Sequence, residues 1–463
     1  MSLPSESELK KVAERALSFV SAPEVQVAFT AARLGNTRWA RNEVSTSGYQ
    51  ETMQISVQAQ YGKKKGTSIG NQLDDDSLRR LVQKAEELAR LAPDDDETMP
   101  FLGPQTYLKP NQSFDDVAAV SPEYRARIAL EAIKKSEEKK LLGAGFVDHR
   151  HDATYLANNK GLSGYRTSTG IAYSLTARTE DGTGSGWGGT TANRLTSFDP
   201  SSMTARAIDI AVRSQKPVGV EPGNYTVILP GEVVADICRG LSGGFGGGGG
   251  GGGGFGGGGG PLDARTAEEG RSLMSRPGGA TRLGEKMVSE RVNLYTDPMY
   301  VECPGSPFDG QGMATKRIDW IKEGVIANLS YSRFWAQKKG KEATPGSTNT
   351  ILDGGKATID EMVASTKRGL LLNRVWYVRP VDPQTALFTG LTRDGLFLVE
   401  DGKITKPVKN MRWNETPVKV LRNIEMMGPS RRVITSEQDL GSHLFFPSIK
   451  MNDFTFASLS DAV

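Results

Sequence analysis

Apolar positions along the chain fall into two rhythms. Leu9, Val12, Ala13, Ala16 and Leu17 recur at helical spacing, which predicts an amphipathic helix over 5–19. Leu78, Leu81, Val82, Ala85, Leu88 and Ala89 do the same over about 76–91, behind the acidic cap Asp74-Asp75-Asp76. Ser121-Pro122-Glu123 opens a third helix to about Lys139, and a fourth spans about Met203 to Gln215. Between them, strands are predicted at 26–32, 37–44 and 51–62, then across GAGFVDHRHDATYLANN and GYRTSTGIAYSLTARTE, with DGTGSGWGG (181–189) read as a glycine-rich turn.

From Tyr225 a short strand breaks at Pro230-Gly231 and feeds a helix carrying Val233, Val234, Ile237 and Leu241. Beyond it the pattern is mostly β: VNLYTDP, ATKRIDWIKEGVIANLSYSRFWA, GLLLNRVWYVRP and GLFLVEDGKITKPVKN, interrupted by one helix at 359–367. The expected fold is α+β in two domains: an N-terminal α/β-layered domain with mixed or antiparallel strands (1–221) and a C-terminal, mostly antiparallel β domain (222–463). Gly243 to Gly260 is glycine apart from Phe245 and Phe255, and 243–263 reads as a flexible insertion. Pro261-Leu262-Asp263 follows it rather than Gly-Lys-Ser/Thr, which excludes a phosphate cradle.

With 463 residues the chain is long enough for two cores, and a net charge of +3 gives no electrostatic case for nucleic acid. Two cysteines, Cys238 and Cys303, point to a reducing compartment; with no apolar leader and no long apolar run, the expectation is a cytoplasmic protein off the membrane. Chemistry is sparse. His149 and His151 alternate on one strand, without a third ligand nearby, and read as polar groups on a solvated or interface strand. His443 has no partner in sequence. Gly240-Leu241-Ser242-Gly243-Gly244 spells a nucleophile elbow, but a helix precedes Ser242 where a strand is needed. In Arg374-Val375-Trp376-Tyr377-Val378-Arg379 the arginines are expected on one side with Trp376, in a core or an interface.

Six segments in order change the picture: NQLDDDSLRRLVQKAEELARLAP, LANNKGLSGYRTSTGIAYSLTARTEDGTGSGW, EEGRSLMSRPGGATRLGEKMVSE, SPFDGQGMATKRIDWIKEGVIANL, STKRGLLLNRVWYVRPVDP and GLFLVEDGKITKPVKNMRW. Through them the chain resembles the TldD/TldE (PmbA) family, two-subunit metallopeptidases also known as modulators of DNA gyrase. In the TldD-like subunit of that family an HExxxH helix and a late cysteine hold the metal. The matching segment here is Val234-Ala235-Asp236-Ile237-Cys238-Arg239, with Val234, Ala235 and Arg239 at the motif positions, and no cysteine follows Cys303.

The resemblance is therefore to the TldE/PmbA-like, metal-free subunit. It implies no catalytic residues and no cofactor in this chain, with zinc expected in a TldD-like HExxxH partner. It also implies a heterodimer, leaving a homodimer open, and an unfolded or extended peptide as substrate. Arg239, Trp335, Trp376, Tyr377 and Arg379 are the expected peptide or partner contacts. The rival readings are a stand-alone binding protein, in keeping with the gyrase label, and a hydrolase using Ser242.

Overall fold

The computed structural model describes residues 3–238, 241, 260–435 and 443–460. Its first half is a six-stranded antiparallel sheet with helices on one face. The elements run α1 (Glu6–Ser18), β1 (Glu24–Ala40), β2 (Glu43–Tyr61), β3 (Lys64–Gly70), α2 (Asp75–Leu91), α3 (Asp115–Ala118), α4 (Pro122–Glu138), β4 (Leu141–Asn158), β5 (Ser163–Thr179), β6 (Ser185–Ala192) and α5 (Pro200–Arg213). The strand order is β3-β2-β1-β4-β5-β6. Each long helix starts at a capping residue: Ser5 in a capping box, Asp74, Ser121 before a proline, and Asp199 before a proline.

Helices α1 and α2 bury Leu9, Leu78 and Val82 against Val27, Phe29 and Val57, while α4 and α5 bury Ile133 and Ala207 with Trp39, Val147 and Tyr173. Those strand residues alternate on one face. The opposite face carries no helix.

Two of the expected boundaries move. The segments 26–32 and 37–40 belong to one 17-residue strand paired with β2 and β4, while the expected 37–44 is broken by a turn at Arg41-Asn42 and its last two residues open β2. The glycine-rich 181–189 is a turn only at its start, because 185–189 belong to β6. A Cβ at Gly186 or Gly188 would collide with the backbone carbonyls of Ala207 or Met203, so these glycines let α5 lie directly on the strand.

The second half follows as β7 (Gly223–Leu229), α6 (Gly231–Cys238), α7 (Ala264–Glu268), β8 (Leu294–Thr296), β9 (Ile318–Lys322), β10 (Val325–Ile326), α8 (Arg333–Lys339), β11 (Thr350–Leu352), α9 (Ile359–Ala364), β12 (Arg368–Asp382), β13 (Leu387–Glu400), β14 (Lys403–Pro407), β15 (Met411–Glu415), α10 (Pro417–Arg422), β16 (Ile424–Val433) and β17 (Leu444–Leu459). They form an 11-stranded sheet, antiparallel except for β12 with β7 and β11 with β17. β7 bonds β12 on one side and β17 on the other, so β7, β12, β13, β15 and β17 close into a ring. Trp413, Phe454, Phe456 and Leu372 belong to the apolar core of this half. The fold is α+β in two parts.

Ser332 caps α8, so the end of the stretch expected as strand is helical. The end of the expected 243–263 insertion is also packed: Leu262 is buried and its N–H donates to the Leu241 carbonyl at 3.3 Å. None of the described helices is long and apolar enough to cross a membrane.

Candidate functional site

α6 is the helix to which the degenerate motif belongs, and all eight of its residues are buried. Val233, Val234, Ala235, Ile237 and Cys238 join the core of the second half. Burial alone pushes the Cys238 thiol above its ordinary range, so it stays protonated. The two acidic groups, Glu232 and Asp236, are one turn apart on the helix.

Glu232 accepts from Arg431 of β16 at 2.7 Å and from Arg206 of α5 at 3.2 Å. Burial would raise its pKa, but the two guanidinium groups hold it below the usual carboxylate value. Arg206 also donates to Asn373 at 2.8 Å. Asn373 in turn donates to the carbonyls of Trp187 and Asp394. Next to it Arg374 bonds the Asp394 carboxylate at 2.9 Å, with Asp236 acting on it from the helix. The Arg374 guanidinium lies over the rings of Trp187 and Trp376 at 4.7 and 5.0 Å.

A polar seam thus stitches α5 and β6 of the first half to α6, β12, β13 and β16 of the second. Its carboxylates neutralise arginines. A catalytic zinc wants three nitrogen, sulfur or oxygen ligands from the protein and an open position. Val234 and Ala235 offer none, Cys238 is a buried thiol, and Glu232 is engaged. Among the described residues no group of three His, Cys, Asp or Glu could hold a metal ion. The donor set of α6 does not fit zinc.

A second polar region lies on the helix-free face of the first sheet. The second half touches this face at two apolar points: Phe308 against Leu156 and Leu162, and Ile434 against Ala172 and Trp187. The intervening stretches of β4 and β5 bear Asp148, Arg150, Asp152, Arg166 and Ser168 on the same side. Asp152 holds Arg150 at 2.8 Å and Arg166 at 3.6 Å, and accepts from Ser168 at 3.0 Å. Burial raises Asp148 to about 7. Across from them stand Arg432 of β16, Cys303 and His443. His443 Nδ1 donates to the Pro304 carbonyl at 2.8 Å, and Gln112 of the first half reaches that carbonyl at 3.5 Å. Burial, with Arg432 and Arg166 nearby, lowers His443 to about 3.

Sequence profiles of the PmbA/TldA metallopeptidases match the chain in three consecutive blocks: domain 1 at 25–89, the central domain at 115–215 and the C-terminal domain at 256–458. The chain belongs to the PmbA/TldD metallopeptidase family.

Among relatives, a metalloprotease of Methanothermobacter thermautotrophicus is 26% identical over 164 residues, covering 33% of this chain and 36% of that protein. A TldD homolog metalloprotease of Haemophilus influenzae is 26% identical over 174 residues, covering 35% of each. These alignments span about a third of either relative. One to a TldD homolog of Buchnera aphidicola is longer, 23% identical over 435 residues and covering 83% and 81%. In fold the chain is similar to TldE from Thermococcus kodakarensis (TM-score 0.80, 17% identity, 97% and 100% covered). It is equally similar to a candidate modulator of DNA gyrase from Bacteroides thetaiotaomicron (TM-score 0.81, 18% identity, 98% and 100% covered).

Within this PmbA/TldD fold the expected contact residues scatter. Arg239 and Ser242 lie outside the described residues, as does most of the glycine tract. Trp335 is not a surface aromatic: it is 4% exposed, and its indole N–H donates to Glu268 at 3.1 Å. Tyr377 is 50% exposed with a left-handed φ of 55°, and Trp376 and Arg379 are half-buried. A register shift between Trp376 and Arg379 separates the two arginines: Arg374 stacks on Trp376, Arg379 on Tyr377.

His149 is not on a solvated strand either. It is buried beneath α4, within 3.3 Å of Arg125 Nη1, and burial followed by Arg125 lowers its pKa to about 4. Sequence reasoning missed Arg206, Glu232, Asp394 and Arg431. The only local signal was charge inside otherwise apolar strand and helix patterns.

Proposed function

We propose that the chain is the non-catalytic, TldE/PmbA-like subunit of a two-subunit metallopeptidase that cleaves unfolded peptides, with zinc held by a TldD-like HExxxH partner. The observation that carries this reading is α6, where Val234 and Ala235 stand at the first histidine and the glutamate positions of the motif, Arg239 follows at the second histidine position in the sequence, and Glu232 is paired with arginines. The chain would shape the chamber and position an extended peptide, in the cytoplasm and without nucleic acid. Tyr377, with Trp376 and Arg379 beside it, is the exposed aromatic point proposed to meet the partner.

Co-expression with a TldD-like subunit, followed by size-exclusion chromatography, metal analysis and casein cleavage, tests it. The expected result is a one-to-one complex with zinc in the partner, and cleavage that needs both subunits. Two results would overturn the reading: tightly bound zinc in this subunit alone, or cleavage by it alone that is lost on Ser242→Ala. Equal cleavage by the partner alone would remove the positioning role.

A further inference from the structure

Among the described residues most buried charge is paired with an opposite charge; Arg125, which has His149 and the Gly48 carbonyl instead, and the half-buried Arg432 depart from that pattern. On β16 Arg432 sits opposite Phe445 of β17, beside Val433, whose side chain enters the core. Arg432 therefore points the other way, to the same side as Ile434, which rests on Trp187 and Ala172 of the first sheet. Its Nε and Nη1 atoms are enclosed without a hydrogen-bond acceptor, and no ion pair to it exists among the described residues. The titratable groups that feel it are His443 and the Cys303 thiol, which burial keeps protonated, raising it to about 11.

Leaving two guanidinium nitrogens enclosed without acceptors is unfavourable, which a leucine or methionine at 432 would avoid. Arg166, on the facing sheet, shares the Asp152 carboxylate with Arg150. Three arginines, Arg150, Arg166 and Arg432, thus face two carboxylates there, Asp152 and Asp148, the latter raised by burial to about 7, with Glu302 a nearby exposed acid.

We propose that the polar region between the helix-free face of the first sheet and β16 binds a carboxylate of an extended peptide, with the Arg432 guanidinium as its principal partner and Arg166 as the second. A planar fork of N–H donors matches a carboxylate bidentately, which a lone lysine would not. The Gln112–Pro304–His443 contacts fix the loop beside it. The carboxylate is either the free C-terminus of the peptide or an Asp/Glu side chain. This proposal rests on the peptide-binding reading above and names the chemical group that such a peptide presents here.

The test is fluorescence anisotropy of the full-length protein with labelled, unstructured decapeptides. One is neutral with a free C-terminus, one neutral and amidated, one amidated with a single Glu, and one amidated with Gln in its place. At least one acid form should bind about 10-fold or more tighter than its neutral match, as for one charge-assisted contact. Arg432→Gln should erase that difference while leaving the neutral peptides unchanged, and Arg432→Lys should retain part of it. The pair that differs identifies the source, terminus or side chain.

Equal binding of all four peptides would overturn the carboxylate site and leave the peptide reading standing; no binding of any would overturn both. Thermal unfolding of Arg432→Met separates recognition from structure. An unchanged or higher midpoint fits a site kept for a ligand, and a drop of more than about 5 °C would show that Arg432 holds the fold and would sink the proposal.

Discussion

Arg374, buried, and Arg432, half-buried with two enclosed nitrogens, are arginines of the same sheet that lead opposite lives. Arg374, on β12, has a carboxylate at 2.9 Å, two tryptophan faces and a helix aspartate. Arg432, on β16, has enclosed nitrogens and a thiol. The seam around Arg374 joins the halves of the protein through ion pairs and hydrogen bonds, whereas Arg432 has no carboxylate partner among the described residues. A buried charge paired internally is architecture; Arg432, with no carboxylate among the described residues, is the guanidinium proposed to meet a ligand.

The sharpest way to break the comparison is Asp394→Asn. It leaves Arg374 buried without its carboxylate and should cost about 3–5 kcal/mol in urea unfolding. A loss below about 1 kcal/mol would put the seam on the same footing as the second polar region.

Next comes Asp148, in the second polar region, raised by burial to about 7. The folded state favours its protonated form, so its contribution to stability is full below the unfolded pKa near 4 and is lost as pH rises through about 7. Asp148→Asn should therefore stabilise the protein by roughly 2–4 kcal/mol at pH 8, and by progressively less toward pH 4. Unfolding curves at pH 5 and pH 8 read this directly.

His149 should act with the opposite sign and a smaller size. Its folded value of about 4 lies below the unfolded 6.5, with burial first and Arg125, Arg33 and His151 adding to the shift. Stability present above pH 6.5 should drain by roughly 2 kcal/mol as pH falls through 4, and His149→Gln should flatten that limb. Glu232→Gln should cost least, about 1–2 kcal/mol, because Arg431 is half exposed and can turn to water. Differential denaturation against the parent protein measures it; a loss above about 4 kcal/mol would mean that the seam hinges on α6 rather than on Asp394.

Much of the fold was legible because its signals are local. α1, α2 and α4 fall within a residue or two of their sequence-based bounds, since each has both an apolar stripe and a capping residue. β6 was hidden because Gly186, Gly188 and Gly189 make a strand look like a turn until the helix lying on the first two, and Trp187 and Ile434 against the third, are known. α8 was hidden by short strands just before it, and Trp335 was misplaced with it. The site divided along the same line. α6 and its replacements at Val234 and Ala235 can be read from a stretch of eight residues. The seam and the second polar region are assembled from side chains up to about 200 residues apart, such as Glu232 with Arg431, and no periodicity in one strand announces such a meeting.

The ring of strands in the second half also sets a timetable. β7 is held on one side by β17, the last strand in the sequence, through pairs such as Leu229 with Ile449. At synthesis rates of roughly 5–20 residues per second, about 10–40 s pass between the emergence of β7 and that of its sealing strand. Throughout that interval β7 and the apolar α6 behind it are on the nascent polypeptide without the strand that encloses them, and a transcript cut short before β17 yields a half that cannot close.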